Sequence, residues 1–373
     1  LLPSSNPIMS IPAPDYVRSI APYQAGKPIS ELAREYGLDA QRIVKLASNE
    51  NPFGMPESAR AATAAELAEV SRYPDSNGFE LKAAISRHYG VDADWITLGN
   101  GSNDVLELAA HALLQPGTSA VYSQYSFAVY ALATQETGAR AIVVPARELG
   151  HDLDAMRASI ATDTRIVFVA NPNNPTGTWL PREAIAAFVA SVPSDVVVVL
   201  DEAYDEYLDP AQRSDSIRQV SEHPNLVVCR TFSKAYGLAG LRVGFAVAQP
   251  ELTDLMNRVR QPFNVSSIAQ AAAIAALDDR AYLQRSYEAN RAGLQRLQEA
   301  FARMGLEYVP SHGNFVLVRV GDAAGVYEAL LRAGIIVRPV GNYGLPDWLR
   351  ISVGLPEENE AFLRAFEKAM GRA

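Results

Sequence analysis

One lysine stands where its chemistry would be altered. In Thr231-Phe232-Ser233-Lys234-Ala235-Tyr236-Gly237-Leu238-Ala239-Gly240-Leu241-Arg242 it follows an apolar run, Leu226 to Val228, that reads as a buried strand. An ammonium in a dry pocket beside another cation is destabilised; its pKa falls, and the free amine can attack a carbonyl and form a Schiff base. Thr231, Ser233 and the glycine-spaced Arg242 are groups that hold a phosphate dianion. A Schiff-base lysine with a phosphate clamp beside it describes pyridoxal 5'-phosphate, PLP. From this stretch alone a strand end followed by a solvated Ser-Lys turn remains open, and the other motifs decide.

Gly99-Asn100-Gly101-Ser102-Asn103-Asp104 joins a strand to a helix, so the free N–H groups near Ser102 and Asn103 form an anion cradle. Glycine-rich turns of this kind also occur as plain geometry. Asn171-Pro172-Asn173-Asn174-Pro175-Thr176-Gly177 is a turn forced by two Asn-Pro steps. Asp201 ends Val196-Val197-Val198-Val199-Leu200, a run apolar enough to be buried on both faces. A carboxylate there needs a cation, which a protonated pyridine nitrogen would supply; the bland alternative is a helix N-cap. Arg338 and Arg350 lie in otherwise apolar strands, where a guanidinium fork suits carboxylate or phosphate. For Arg338 a solvated strand end is the alternative.

Ser233-Lys234-Ala235 through Gly240-Leu241-Arg242 resembles the PLP-lysine motif of fold-type I aminotransferases, and more narrowly that of histidinol-phosphate aminotransferases. The resemblance runs from about Pro22 to the C-terminus and rests on several separated motifs. It implies a PLP phosphate held by Ser102, Asn103, Thr231, Ser233 and Arg242, with Asn174 and Tyr204 donating to the ring oxygen. Lys234, Asp201 and Tyr204 would form the catalytic set. Phe127 would stack on the ring; since Gln124-Tyr125 stands where a proline often precedes the aromatic, Tyr125 remains an alternative. Tyr73, in Arg72-Tyr73-Pro74, would reach the phosphate of a neighbouring subunit, implying a homodimer with shared sites. Tyr23, Arg338 and Arg350 would bind substrate.

The implied reaction is a ping-pong transamination between a small amino donor and 2-oxoglutarate. In this family histidinol phosphate and 2-oxoglutarate are interconverted with imidazole-acetol phosphate and glutamate. An aromatic or broad-specificity aminotransferase would keep every cofactor residue, and a threonine-phosphate decarboxylase would expel a carboxylate instead. A ligand-binding regulator on an inactive aminotransferase domain would need an attached DNA-binding module.

At 373 residues and 48% hydrophobic, the chain suits two domains. Lys plus Arg number 33 against 42 Asp plus Glu, a net charge of -9 without a basic run, which argues against nucleic acid or an anionic membrane as partner. No stretch reaches the length of a membrane span, and Leu1 to Ser5 lack a basic leader, so a cytoplasmic protein is expected. Those opening residues are set aside from the fold argument. The single cysteine, Cys229, sits in an apolar strand, and the five histidines show no metal-ligand spacing, so no metal site is assigned.

The elements that must carry these residues alternate. Short apolar strands are expected at 95–98, 119–122, 141–144, 165–170, 196–200, 226–229 and 244–247, with helices between them. This implies an α/β fold of type I: a large, mainly parallel seven-stranded sheet flanked by helices, plus a smaller α+β domain. A long helix over 279–304 advances its apolar positions Leu294, Leu297, Phe301 and Met304 by three and four and stops at Gly305. Strands at 315–320, 335–338 and 349–353 and helices over 323–333 and 357–370 follow. Residues 1–47 read as an arm joining the small domain or a dimer interface, 48–275 as the PLP-binding domain and 276–373 as the small domain.

Overall fold

The computed structural model describes residues 11–23 and 26–371. Leu1 to Ser5, and Gln24 of the arm, lie outside the described residues. The large sheet has seven strands in the order Ile96–Gly99, Gly244–Val247, Leu226–Thr231, Val197–Asp201, Thr164–Ala170, Ser119–Ser123, Arg140–Val144. Gly244–Val247 alone runs against the rest. The central strands bury both faces because alternate residues feed two separate cores. Val167, Val169, Val198, Leu200 and Val228 face one layer of helices, and Ile166, Phe168, Val197, Val199 and Val227 face the other. Four parallel strands therefore end in one plane, at Gly99, Ala170, Asp201 and Thr231, where open α/β sheets bind ligands.

Helix Ser267–Asp278 is capped by Ser266, whose hydroxyl accepts from Ala269 N at 3.2 Å. Its buried Ala269, Ala272, Ala273 and Ala276 allow close packing. The division expected at 275 falls inside this helix. Helix Arg280–Arg303 follows, capped by Asp279 and stopped at Gly305, which adopts the left-handed φ of 63°. Its Leu297 and Phe301 bury against Phe362, Phe366 and a four-stranded antiparallel sheet ordered Arg338–Pro339, Trp348–Ser352, Phe315–Arg319, Tyr308–Val309.

One expectation differs in detail. The strand foreseen over 335–338 is divided at Val337: Ile335–Ile336 pairs in parallel with Val44–Lys45, and Arg338–Pro339 pairs with Trp348–Ser352. Through Val44–Lys45 the arm segment pairs with residues 335–336 of its own chain. Helix Ile29–Tyr36 buries Leu32 against Leu331 and Ile336 of its own chain.

Candidate active site

Above the sheet edge a single cleft gathers Ser102, Asn103, Phe127, Asn174, Asp201, Tyr204, Thr231, Ser233, Lys234, Arg242, Arg338, Arg350 and, at its rim, Tyr23. Of the residues singled out in the sequence, only Tyr73 and the alternative Tyr125 lie away from it. Tyr125 turns into an apolar cluster with Val340, Leu345 and Trp348, which leaves Phe127 on the cleft wall.

Lys234 follows the Leu226–Thr231 strand, and its Nζ donates to Ser48 O at 3.1 Å. Enclosure lowers its pKa to about 8, helped by Arg350 and Arg242 and opposed by Glu50 and Asp201. Asp201 is buried; its Oδ2 accepts from Tyr130 Oη at 2.9 Å and its Oδ1 from Ala203 N at 3.3 Å. Burial outweighs those bonds and raises its pKa to about 6. Among the described residues no cation lies within ion-pair distance of this carboxylate. That is the environment a bound pyridinium nitrogen would complete.

Tyr204 Oη accepts from Asn49 Nδ2 at 2.9 Å, so its own O–H is left to donate into the cleft, and burial raises its pKa to about 12, keeping that proton in place. Asn174 Oδ1 is taken by Arg350 Nη1, leaving the amide N–H groups as donors. Both therefore fit a ring oxygen acceptor.

At the start of helix Ser102–Leu113 the cleft offers a cradle for an anion. Helix Ser102–Leu113 starts at Gly101 without a side-chain cap, so its first N–H groups are open to an anion. Arg242 Nη1 donates to Ser233 Oγ and to Ala239 O, each at 3.1 Å, while Nη2 donates to Asn100 O at 3.3 Å. Gly101 has a left-handed φ of 87°, and a Cβ there would overlap the Arg242 guanidinium. Glycine is thus required by conformation and by space.

Arg338 and Arg350 are directly opposite each other in the antiparallel pair of their strands, and both side chains are buried. Like charges so placed destabilise a sheet unless an anion lies between them. Arg350 Nη2 donates to Ala47 O at 2.7 Å, and the Arg338 Cζ stands 5.8 Å from the Tyr23 ring centroid.

The model of the family described as aminotransferase class I and II matches residues 41–366. The chain belongs to the class I and II aminotransferases. A histidinol-phosphate aminotransferase 1 of Cupriavidus pinatubonensis is 70% identical over 96% of each chain. A histidinol-phosphate aminotransferase 2 of Ralstonia nicotianae is 67% identical over 96% of this chain and 97% of its own. A crystal structure of histidinol-phosphate aminotransferase from Sinorhizobium meliloti in complex with pyridoxal-5'-phosphate superposes with a TM-score of 0.89 at 30% identity, covering 98% of this chain and 99% of that one. The fold-type I architecture and a PLP-dependent transaminase activity follow for this aminotransferase.

Several residues of the aminotransferase site were not foreseen from sequence. Asn49, which holds Tyr204, comes from the irregular segment before Pro52, which carries no motif. Tyr130 reaches Asp201 from helix Ala128–Glu136, and Tyr343 lines the cleft beside Arg350. A tyrosine one helical turn beyond Phe127 is the only local signal for the first. Among the described residues no cluster could hold a metal ion, and no helix is long and apolar enough to cross a membrane.

Proposed function

We propose that this aminotransferase exchanges the amino group of histidinol phosphate with 2-oxoglutarate, yielding imidazole-acetol phosphate and glutamate, a step of histidine biosynthesis. The observation that carries the substrate class is the buried pair Arg338 and Arg350, directly opposite each other on paired strands and both lining the cleft. Two guanidinium groups at one point suit a phosphomonoester in one half-reaction and a carboxylate in the other. The names of the relatives at 70% and 67% identity support the same choice.

When bound, PLP supplies a carbonyl carbon for the substrate amine and a ring that withdraws electrons from the substrate Cα. Ser102, Asn103, Thr231, Ser233 and Arg242 would fix its phosphate, Phe127 would cover one face, and Asp201 would keep the ring nitrogen protonated. Asn174 and Tyr204 would donate to the ring oxygen. Lys234 Nζ, its pKa already lowered toward the free amine, would take the Cα proton as a general base and, being tethered beside it, would hold that proton as an ammonium until it is returned. Arg350 holds the substrate anion while also fixing Asn174.

The working unit in this reading is a homodimer. Leu67, Val70, Tyr73, Phe79 and Phe263 are all exposed, and Tyr73 stacks on Phe263 with ring centroids 4.6 Å apart. An apolar surface of this extent favours a partner copy, whose cleft Tyr73 would enter. The cytoplasm is its proposed location, supported by a lone, buried, unpaired cysteine.

The deciding experiment compares kcat/KM for histidinol phosphate with that for phenylalanine and tyrosine, using 2-oxoglutarate as acceptor. Histidinol phosphate is expected to lead. If an aromatic amino acid leads by about tenfold, which needs only about 1.4 kcal/mol of transition-state preference, the aromatic aminotransferase reading replaces this one.

A further inference from the structure

The loop that brings Asn174 to the cleft is anchored at its first residue by a side chain from outside the site. Ala170 ends the Thr164–Ala170 strand and lines the cleft; the next residue, Asn171, donates its N–H to Asp201 O at 3.0 Å. Backbone groups of successive strand residues turn to alternate neighbours, so those of Ala170 face the Ser119–Ser123 strand. That strand has run out by this point. Its last pair with this strand is Val121 with Val167, and the Gln124 N–H continues the ladder on the opposite side, donating to Val144 O at 2.8 Å.

His151 takes up the place of the absent ladder residue. Its Nε2 lies 2.9 Å from Ala170 O and 3.3 Å from Ala170 N. The side chain is buried, and Nδ1 has no hydrogen-bond partner among the described residues. Nε2 can serve only one of these two groups; the shorter contact, to Ala170 O, fits the tautomer with its proton on Nε2, which leaves Nδ1 as a bare lone pair and not as a buried donor without an acceptor. Burial also pushes the ring pKa down to about 4, which keeps it neutral.

His151 is itself held from both sides. On its N-terminal side the turn Arg147 to Gly150 is closed by reciprocal backbone bonds of 3.1 and 2.8 Å, with Glu148 and Leu149 at left-handed φ of 51° and 63°. Two non-glycine residues in that conformation persist only where their surroundings enforce it. The enforcing contact is Leu149, packed with Tyr125, Val340, Leu345 and Trp348. On its C-terminal side Asp152 caps helix Leu153–Ala158 by accepting from Ala155 N at 3.0 Å.

We propose that His151 is a positioning residue of the active site: its Nε2–H substitutes for the missing strand partner of Ala170 and so sets the Asn171 to Asn174 loop against the cofactor. This rests on the reading of Asn174 as a cofactor-holding residue. The ring is absent from the cleft lining and reaches the site only through the backbone of Ala170.

The test compares three holoenzyme variants. His151→Phe keeps the ring volume and removes the donor, His151→Gln can return an N–H to Ala170 O, and His151→Asn is too short to reach it. For His151→Phe, kcat/KM is expected to fall about tenfold, mainly in kcat, with weaker PLP retention and a shifted visible band of the bound cofactor. His151→Gln should stay within about threefold of the parent, and His151→Asn should resemble His151→Phe. Equal losses of thermal stability in all three, with unchanged cofactor band and kcat, would reduce His151 to packing and overturn the proposal. Should His151→Phe fail to fold, equality of the Gln and Asn variants would overturn it as well. Borohydride labelling of Lys234 in the parent separates the two readings: a label on another lysine refutes the cofactor site, whereas a correct label with unaffected variants refutes only the role of His151.

Discussion

Lys234 and Asp201 were legible in the sequence because each breaks a local pattern, a charge at the end of an apolar strand, and burial makes such a charge costly unless it is used. Asn49, Tyr130 and Tyr343 break no pattern; they reach the cleft only because distant segments fold beside it. The lowered pKa of Lys234 has a measurable consequence. Below about 8 each pH unit leaves tenfold less free amine, so the rate constant for PLP uptake by the apoprotein should rise about tenfold per unit up to that value and then level off. A flat profile from pH 6 to 9 would contradict the assignment. Lys234→Ala should retain noncovalent PLP through Asp201 and Arg242 yet lose borohydride-reducible linkage and nearly all turnover. Arg350→Ala would remove the charged contact proposed for substrate and free Asn174 together, so kcat/KM should fall by about 10- to 150-fold for phosphorylated and carboxylate substrates alike, equivalent to about 1.5–3 kcal/mol. An effect confined to one substrate would show that Arg350 does not serve both half-reactions.

At the scale of elements, the apolar strands and the long helix were readable because period and length were unambiguous, and their observed ends differ by a residue or two. The division at Val337 was not readable, since an apolar run does not say that its two halves join different sheets. Nor was the ion cluster behind the catalytic strands. Arg230, on the strand leading to Lys234, meets Glu202 at 2.7 Å, Asp205 at 3.0 Å and Glu206 at 3.1 Å, and Ser214 and Ser216 also donate to Glu202. In sequence these are scattered charges. In space they tie the end of Val197–Asp201 to Leu226–Thr231, the two strands that present Asp201 and Lys234. One guanidinium balances three carboxylates, and burial raises the pKa of Glu206 to about 7. Arg230→Ala would strand those carboxylates and should cost about 3–5 kcal/mol of stability, read as a lowered urea midpoint with unchanged slope. A loss below about 1 kcal/mol would mean that the carboxylates simply take up protons, and that the cluster does not lock the strands together.

For the whole molecule, the cleft lies between the seven-stranded sheet, which supplies Lys234, Asp201 and the phosphate cradle, and the four-stranded sheet, which supplies Arg338 and Arg350. Of the residues proposed for the site, Tyr73 lies outside the cleft of its own chain. That residue is 83% exposed, stacked on Phe263, and absent from the lining of its own cleft. Leu67, Val70 and Phe79, from the segments before and after it in the chain, are also largely exposed. If two copies pair through this face by a two-fold axis, each gives its Tyr73 to the other's phosphate and each apolar face is covered at once. Tyr73→Phe should then weaken PLP binding without disturbing the fold, by about 0.5–1.5 kcal/mol for one hydrogen bond. Mixing Tyr73→Phe with Lys234→Ala subunits gives a sharper result. In a hybrid dimer one cleft has Lys234 from the first chain and Tyr73 from the second, and so has both groups intact, whereas its other cleft lacks both. Subunit exchange should therefore restore activity above that of either parent variant, most visibly at limiting PLP. An active monomer in sedimentation, or a mixture that merely averages its components after exchange has been verified, would leave Tyr73 without a role in the partner's site.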